Sequence, residues 1–285
     1  MEEFQKQFVQ WFPGHMAKGI KNIQKDLKKA DAVIEVLDAR APVATSNPEM
    51  KKLIQNKTWI SVLNKSDLAD NSVTDKWVKF LEKENHFVIP LNLKNKKDGE
   101  KLISLIKSLA KKRQESKSYN TRLALMVLGI PNTGKSTLIN RLANKNSLKT
   151  ENRPGVTRQN ILRTLPFGVD LIDTPGILSP KLDSEETGEK LAFLGSVSTT
   201  VYDIENIAYK LVDFLQKYYP NAISQKYEIE TSKSDSYQVL IDIAEKRAMK
   251  LKGNEYDTLR ASEMLLSDFR NGKLGKISLE RPDEF

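Results

Sequence analysis

The chain has 285 residues, with 46 Lys and Arg against 37 Asp and Glu, two His, no Cys and 39% hydrophobic residues. This composition excludes a disulfide framework, thiolate metal sites and cysteine nucleophiles, and it is too apolar for a disordered chain. No apolar run approaches the roughly 20 residues that span a bilayer and Met1-Glu2-Glu3-Phe4 does not read as a signal peptide, so a cytoplasmic chain of about two domains is expected.

Taken in chain order, residues 16–29 are predicted to be helical, because Met16, Ile20, Ile23 and Leu27 recur three or four apart. Residues 32–37 read as a strand. Residues 59–63 read as a second, ending at Asn64-Lys65-Ser66-Asp67, and 87–91 as a third, ending at Asn92. A helix is expected over 102–109. Residues 123–128 form the continuous apolar run of a buried parallel strand, and a helix over 136–142 follows its loop. Residues 169–172 are a further short strand, closed by Asp173-Thr174-Pro175-Gly176. Alternating strands and helices predict an α/β domain with a mostly parallel sheet.

Past residue 200 the pattern changes. Ile204, Ile207, Ala208, Leu211 and Leu215 keep helical spacing, and two more helices are expected near 237–250 and 255–270. The polar stretch 220–236 reads as a loop or turn, and 272–285 as an exposed tail. The resulting division is an N-terminal extension with the first helix over 1–30, the α/β domain over 31–200 and a small all-helical C-terminal domain over 201–285. Charge divides unevenly between these parts: residues 1–200 carry a net +11 and residues 201–285 a net −2. The densest basic run, 94–117, holds nine Lys and Arg, which suits a polyanion or a solvated helix face equally well.

The chemistry lies at the strand ends. Gly129-Ile130-Pro131-Asn132-Thr133-Gly134-Lys135-Ser136 fits the phosphate loop GxxxxGK[ST], between a predicted strand and a predicted helix as that motif requires. Gly129 and Gly134 let the backbone wrap phosphates, and the helix start attracts anions. Lys135 reaches the β and γ phosphates, Ser136 ligates Mg²⁺, and Thr137 follows in the same helix start. Pro131 and Thr133 shape the loop, with Thr133 also offering its N–H. In Asp173-Thr174-Pro175-Gly176 the carboxylate of Asp173 suits Mg²⁺, directly or through water, and the N–H of Gly176 suits the γ-phosphate. Between the two motifs, Thr157 in Pro154-Gly155-Val156-Thr157 offers a hydroxyl to Mg²⁺ when a triphosphate is bound.

Asn64-Lys65-Ser66-Asp67 fits NKxD, in which the carboxylate of Asp67 accepts the N1–H and the exocyclic amine of guanine while Lys65 covers the ring. Adenine offers no such donor pair, so GTP and GDP are the expected ligands. Leu91 and Asn92, at the next strand end, are expected to close the base pocket through backbone N–H groups. Ras-like GTPases run phosphate loop, threonine, DxxG, NKxD, whereas here NKSD comes first. The fold class is therefore a circularly permuted P-loop GTPase domain followed by helices, because a parallel sheet fixes the site and chain order decides only which loops are cut.

Trp11-Phe12-Pro13-Gly14-His15-Met16, Asp38-Ala39-Arg40, NKSD, PNTGKS, PGVT and DTPG, in this order and with a helical tail, resemble the bacterial ribosome biogenesis GTPase A family over almost the whole chain. The resemblance implies hydrolysis of GTP to GDP and phosphate during assembly of the large (50S) ribosomal subunit, stimulated by the precursor particle. It also implies a tail domain that contacts ribosomal RNA. DNA binding and membrane insertion are not expected, and the protein is expected to be a monomer off the ribosome.

Ile177 follows DTPG, where Ras-like enzymes carry the glutamine that orients the attacking water. The resemblance gives that role to His15, whose neutral imidazole can orient water or accept its proton. A His15 that only packs beside Pro13-Gly14 stays open. Asn132 is expected, from related GTPases, to help hold potassium. His86 reads as surface structure. Two other functions also stay open: an RNA-binding scaffold switched by GTP with incidental hydrolysis, and a permuted GTPase acting on another RNA.

Overall fold

A computed structural model of the chain describes residues 22–48, 54, 57–83, 85–95, 97–116, 121–143, 161–165, 167–174, 176, 184–232 and 234–285. Strands β1 (Ala32–Asp38), β2 (Thr58–Asn64), β3 (His86–Leu91), β4 (Leu123–Leu128), β5 (Ile161–Leu165) and β6 (Val169–Asp173) form one sheet in the order β3-β2-β1-β4-β6-β5. All neighbours are parallel except β5, which runs antiparallel to β6. The strand order reverses between β1 and β4, where open α/β sheets leave a crevice at the carboxyl ends of their strands.

Strands buried on both faces need apolar residues at successive positions, which is how β1 and β4 read. Ala32, Ile34 and Val36 of β1 pack with Leu102, Ile106 and Ala110 of α2 (Glu100–Glu115) and with Leu138, Ile139 and Leu142 of α3 (Lys135–Leu142). On the other face Val33 packs with Ile23, Leu27, Met126 and Ile172, and residues 22–27 are helical as expected. Leu37 and Leu63 meet Trp77 of α1 (Asn71–Leu81), an element the sequence reading passed over. Its signal was a cap followed by a narrow stripe: Asp70 accepts from the N–H groups of Ser72 and Val73, and Val73 and Trp77 are one turn apart. The edge strand β5 was also missed.

The described residues 184–277 form a second compact unit. It holds α4 (Glu185–Phe193), α5 (Ile204–Tyr218), α6 (Asn221–Tyr227), α7 (Ser236–Lys246) and α8 (Thr258–Arg270). The side chains of Ser184, Asp203, Asp235 and Asp257 each accept an N–H at the start of a helix, which satisfies donors the helix itself leaves open. Tyr227 is fully buried and donates to Asp268 at 3.1 Å; burial and that carboxylate together push its phenol well above the ordinary range.

Three expectations about this half of the chain are corrected. Helix α4 belongs to the helical unit, so the division falls before residue 184, not at 201. The polar stretch after Pro220 contains α6, whose buried Ile223 and Tyr227 are four apart. The last eight residues, Ser278–Phe285, are no exposed tail of the helical domain but return to the sheet-containing unit. There Ser278, Leu279 and Glu280 are at most 2% exposed, because backbone donors of that unit satisfy the Glu280 carboxylate. The basic side chains Arg270, Lys273 and Arg281 near the end of the chain are spent separately. Arg270 donates to the carbonyls of Ala192 and Phe193, Lys273 pairs with Asp268, and Arg281 lies on the returning segment beside Glu284.

Candidate functional site

The carboxyl ends of the parallel strands deliver the sequence motifs to one edge. Asp38 ends β1, Asn64 ends β2, and β4 runs directly into the phosphate loop before α3. Asp173 ends β6.

Asn64 is buried and works as a cross-brace. Its Nδ2 donates to the carbonyl of Thr133 in the phosphate loop at 2.7 Å, and its Oδ1 accepts from the N–H of Leu93 at 3.1 Å. Lys65 adopts a left-handed backbone, φ 59°, and turns the chain into the short 3₁₀ turn Ser66–Leu68. Its ammonium donates to the carbonyl of Asn132 at 2.8 Å and pairs with Asp38 at 2.9 Å. The carboxylate of Asp67 is exposed and has no hydrogen bond or ion pair among the described residues, which leaves its two oxygens facing outward from a braced turn.

Asp38 holds this half together. It is 1% exposed and receives Nε, Nη2 and the backbone N–H of Arg40 as well as Nζ of Lys65. Burial alone would raise its pKa, yet the two cations and their hydrogen bonds outweigh it and hold the carboxyl well below the usual carboxylate range. Burial draws the Lys65 ammonium the other way, below its ordinary 10.5, and Asp38 offsets only part of that.

On the phosphate side the geometry lies in the backbone. Asn132 and Gly134 have φ of 64° and 103°, turning successive N–H groups inward at the start of α3. A Cβ on Gly134 would lie 2.2 Å from Nδ2 of Asn64, so only glycine fits there. Gly176 sits against the same loop: a Cβ there would lie 3.2 Å from the nitrogen of Pro131 and 3.5 Å from the carbonyl oxygen of Gly129. Lys135 is 5% exposed and pairs with Asp173 at 2.8 Å. Thr174 is buried and donates to the carbonyl of Val127, tying DTPG to β4. Ser136 and Thr137 are half-buried on the first turn of α3.

Thus Asn64, Lys65, Ser66 and Asp67 converge with Pro131, Asn132, Thr133, Gly134, Lys135, Ser136, Asp173 and Gly176. Leu91 ends β3 and Asn92 follows it. Leu91 packs its side chain into the core, and the N–H of Asn92 is taken by the carboxylate of Asp98. The brace from that loop is instead Leu93, through Asn64. His15, Thr157 and Ile177 lie outside the described residues. His86 is no surface residue: it is buried, stacks on Trp59 at 3.9 Å and hydrogen-bonds with Ser61. The sequence reading quoted Asp38-Ala39-Arg40 without a role; a paired acid and base closing an apolar strand was the available signal.

An NKxD motif and a phosphate loop at the carboxyl edge of one sheet, with the NKxD motif earlier in the chain, define a circularly permuted P-loop GTPase. The family described as 50S ribosome-binding GTPase matches residues 124–249. Ribosome biogenesis GTPase A of Bacillus cereus is 35% identical over 97% of this chain and 95% of its own length. Two solved structures share its fold at 31% identity. One, GDP-bound TM YlqF, has a TM-score of 0.66 over 92% of this chain and 99% of that one. The other, GNP-bound YlqF from T. maritima, has a TM-score of 0.65 over 93% and 99%. The chain belongs to the ribosome biogenesis GTPase A family.

Proposed function

We propose that this GTPase hydrolyses GTP to GDP and phosphate on precursors of the large ribosomal subunit, whose RNA it contacts and whose binding completes the active site. The observation that carries the nucleotide reading is the brace between its two motifs: Lys65 on the Asn132 carbonyl, and Asn64 between Thr133 and Leu93. Base and phosphate recognition are thereby held at one spacing. The ribosomal reading rests on the family and on what its members are named for.

In this reading Asp67 accepts the two guanine donors, and Lys65, held by Asp38, lies along the base. Lys135 leaves Asp173 for the phosphates, where a buried ammonium neutralises charge developing on the leaving oxygen. The oxygens of Ser136, Asp173 and Thr157 would hold Mg²⁺, which when bound supplies positive charge beside the phosphates. The donor set suits that ion: hard oxygens that include one carboxylate, beside substrate phosphates, are what Mg²⁺ takes. Asn132 would offer its amide oxygen to potassium beside the phosphates, and no step depends on that ion. His15 is assigned to positioning the attacking water, and Gly176 to sensing the γ-phosphate. No helix among the described residues is long and apolar enough to cross a membrane. In this reading the protein is cytoplasmic and monomeric off the particle.

The test is GTP turnover with and without large ribosomal subunits, in potassium and in sodium buffer. Strong stimulation by the particle is expected, lost in His15→Ala while GTP binding survives. Tight GTP binding without stimulated turnover would favour the GTP-switched scaffold, and stimulation by an unrelated RNA would favour another substrate. Equal rates in the two salts would remove potassium.

A further inference from the structure

The returning segment Ser278–Phe285 makes its contacts with the loops that flank NKSD. The N–H of Leu279 donates to the carbonyl of Arg40 at 2.7 Å. The Glu280 carboxylate accepts from the N–H groups of Val43 and Ala44 at 2.7 and 3.0 Å, and Glu280 is 1% exposed. Nε1 of the fully buried Trp77 donates to the Glu280 carbonyl at 3.2 Å. Oγ of Ser278, which is 0% exposed, accepts from the N–H of Asp70 at 3.1 Å.

These contacts straddle the guanine motif. Asp70 lies three residues beyond Asp67 and caps α1, so the Ser278 contact holds the outgoing end of the turn that presents Asp67. Arg40 is the residue whose guanidinium and N–H lock Asp38, and Asp38 holds Lys65. The Glu280 and Leu279 contacts therefore hold the incoming side, one step removed. A buried carboxylate is costly unless its lone pairs are satisfied, so Glu280 pins the 40–44 loop to one arrangement rather than merely covering it. The phosphate loop receives no contact of this kind from the segment among the described residues.

We propose that Ser278 and Glu280 are positioning residues for guanine recognition: they hold the two flanks of Asn64-Lys65-Ser66-Asp67 so that the Asp67 carboxylate meets the guanine edge. The segment that does this joins the guanine-binding unit directly to the helical unit, which ends at Ile277. The inference rests on the nucleotide reading above, and its test separates the two.

The experiment measures binding of GDP, IDP and ADP to the full chain and to Glu280→Gln and Ser278→Ala, together with steady-state GTP turnover. IDP lacks the exocyclic amine that Asp67 accepts, so the GDP-to-IDP affinity ratio reports on the placement of that carboxylate. The wild-type protein prefers GDP to both. In each variant GDP affinity falls by about tenfold, the GDP-to-IDP ratio moves towards one, and KM for GTP rises with kcat within about twofold. An unchanged ratio overturns the proposal, even if both affinities or the melting temperature fall, because a purely structural role weakens all nucleotides alike. A wild-type chain that binds ADP as well as GDP would instead sink the nucleotide reading itself. Ser278→Ala removes one hydroxyl and keeps the backbone, so the answer does not hang on the folding of the glutamate variant.

Discussion

The two halves of the sheet build their parts of the site by different means. The β3-β2-β1 half, which carries the NKSD motif, is held by buried side-chain charge: Asp38 between Arg40 and Lys65, with Asn64 spanning two loops. The β4-β6 half, which carries the phosphate loop, relies on backbone conformation at Asn132 and Gly134 and on the ion pair of Lys135 with Asp173. Phosphate is a strong, nearly symmetric anion that backbone N–H groups can cradle without side-chain detail. A purine edge is read by one carboxylate at one angle, and that requires a braced loop. The difference also bears on exchange, since the phosphate-side ion pair can be traded for ligand whereas the Asp38 cluster cannot be opened without stranding buried charge.

This contrast makes a graded series. The largest loss of stability is expected for Asp38→Asn, which leaves Arg40 and Lys65 without their shared carboxylate; urea unfolding should show about 3–5 kcal/mol. The same residue sets an acid signature. Because its folded pKa lies below the ordinary 3.8, its contribution is fully present above about pH 4 and is lost as the pH falls through that folded value. Stability followed from pH 6 to pH 2 should therefore fall less steeply in Asp38→Asn than in the wild-type protein. An equal fall in both would mean that Asp38 does not carry the charge-held half.

Gly134→Ala should cost less stability, about 1–2 kcal/mol, while abolishing measurable GDP binding, because its Cβ would be driven into Asn64 at a positive φ. Retained GDP binding would show that the loop has more freedom than its backbone suggests. The smallest stability effect belongs to Asp67→Asn. The side chain is exposed, so unfolding should move by no more than about 0.5 kcal/mol, while GDP affinity falls by about 100-fold and xanthosine diphosphate binds better. Gly134→Ala and Asp67→Asn thus cost binding far more than stability, whereas Asp38→Asn costs the most stability, and equal losses of stability in all three would erase the distinction between the halves.

Much of the catalytic edge was legible in the chain. The strand over 123–128 is bounded as its apolar run predicts, and NKSD, the phosphate loop and DTPG all fall at strand ends, since each needs a loop that a parallel strand delivers. Helix α1 was not legible as a helix, because three buried residues in eleven make too thin a stripe to stand out. Leu91 and Asn92 were assigned to the base pocket on position alone, and no sequence pattern announces that Asp98 takes the Asn92 N–H.

The amino-acid sequence by itself determined the class: spacing, residue type and chain order are local properties, and they suffice to name a permuted GTPase and its ligand. Only the tertiary structure decided what keeps those motifs in place. Glu280 lies more than 200 residues from the backbone donors it accepts, and Asn64 joins loops that follow three different strands. A hydrogen bond between distant segments leaves no periodicity in either one. The charge-rich end of the chain accordingly reads as solvated tail until the fold brings buried N–H groups to meet its carboxylate.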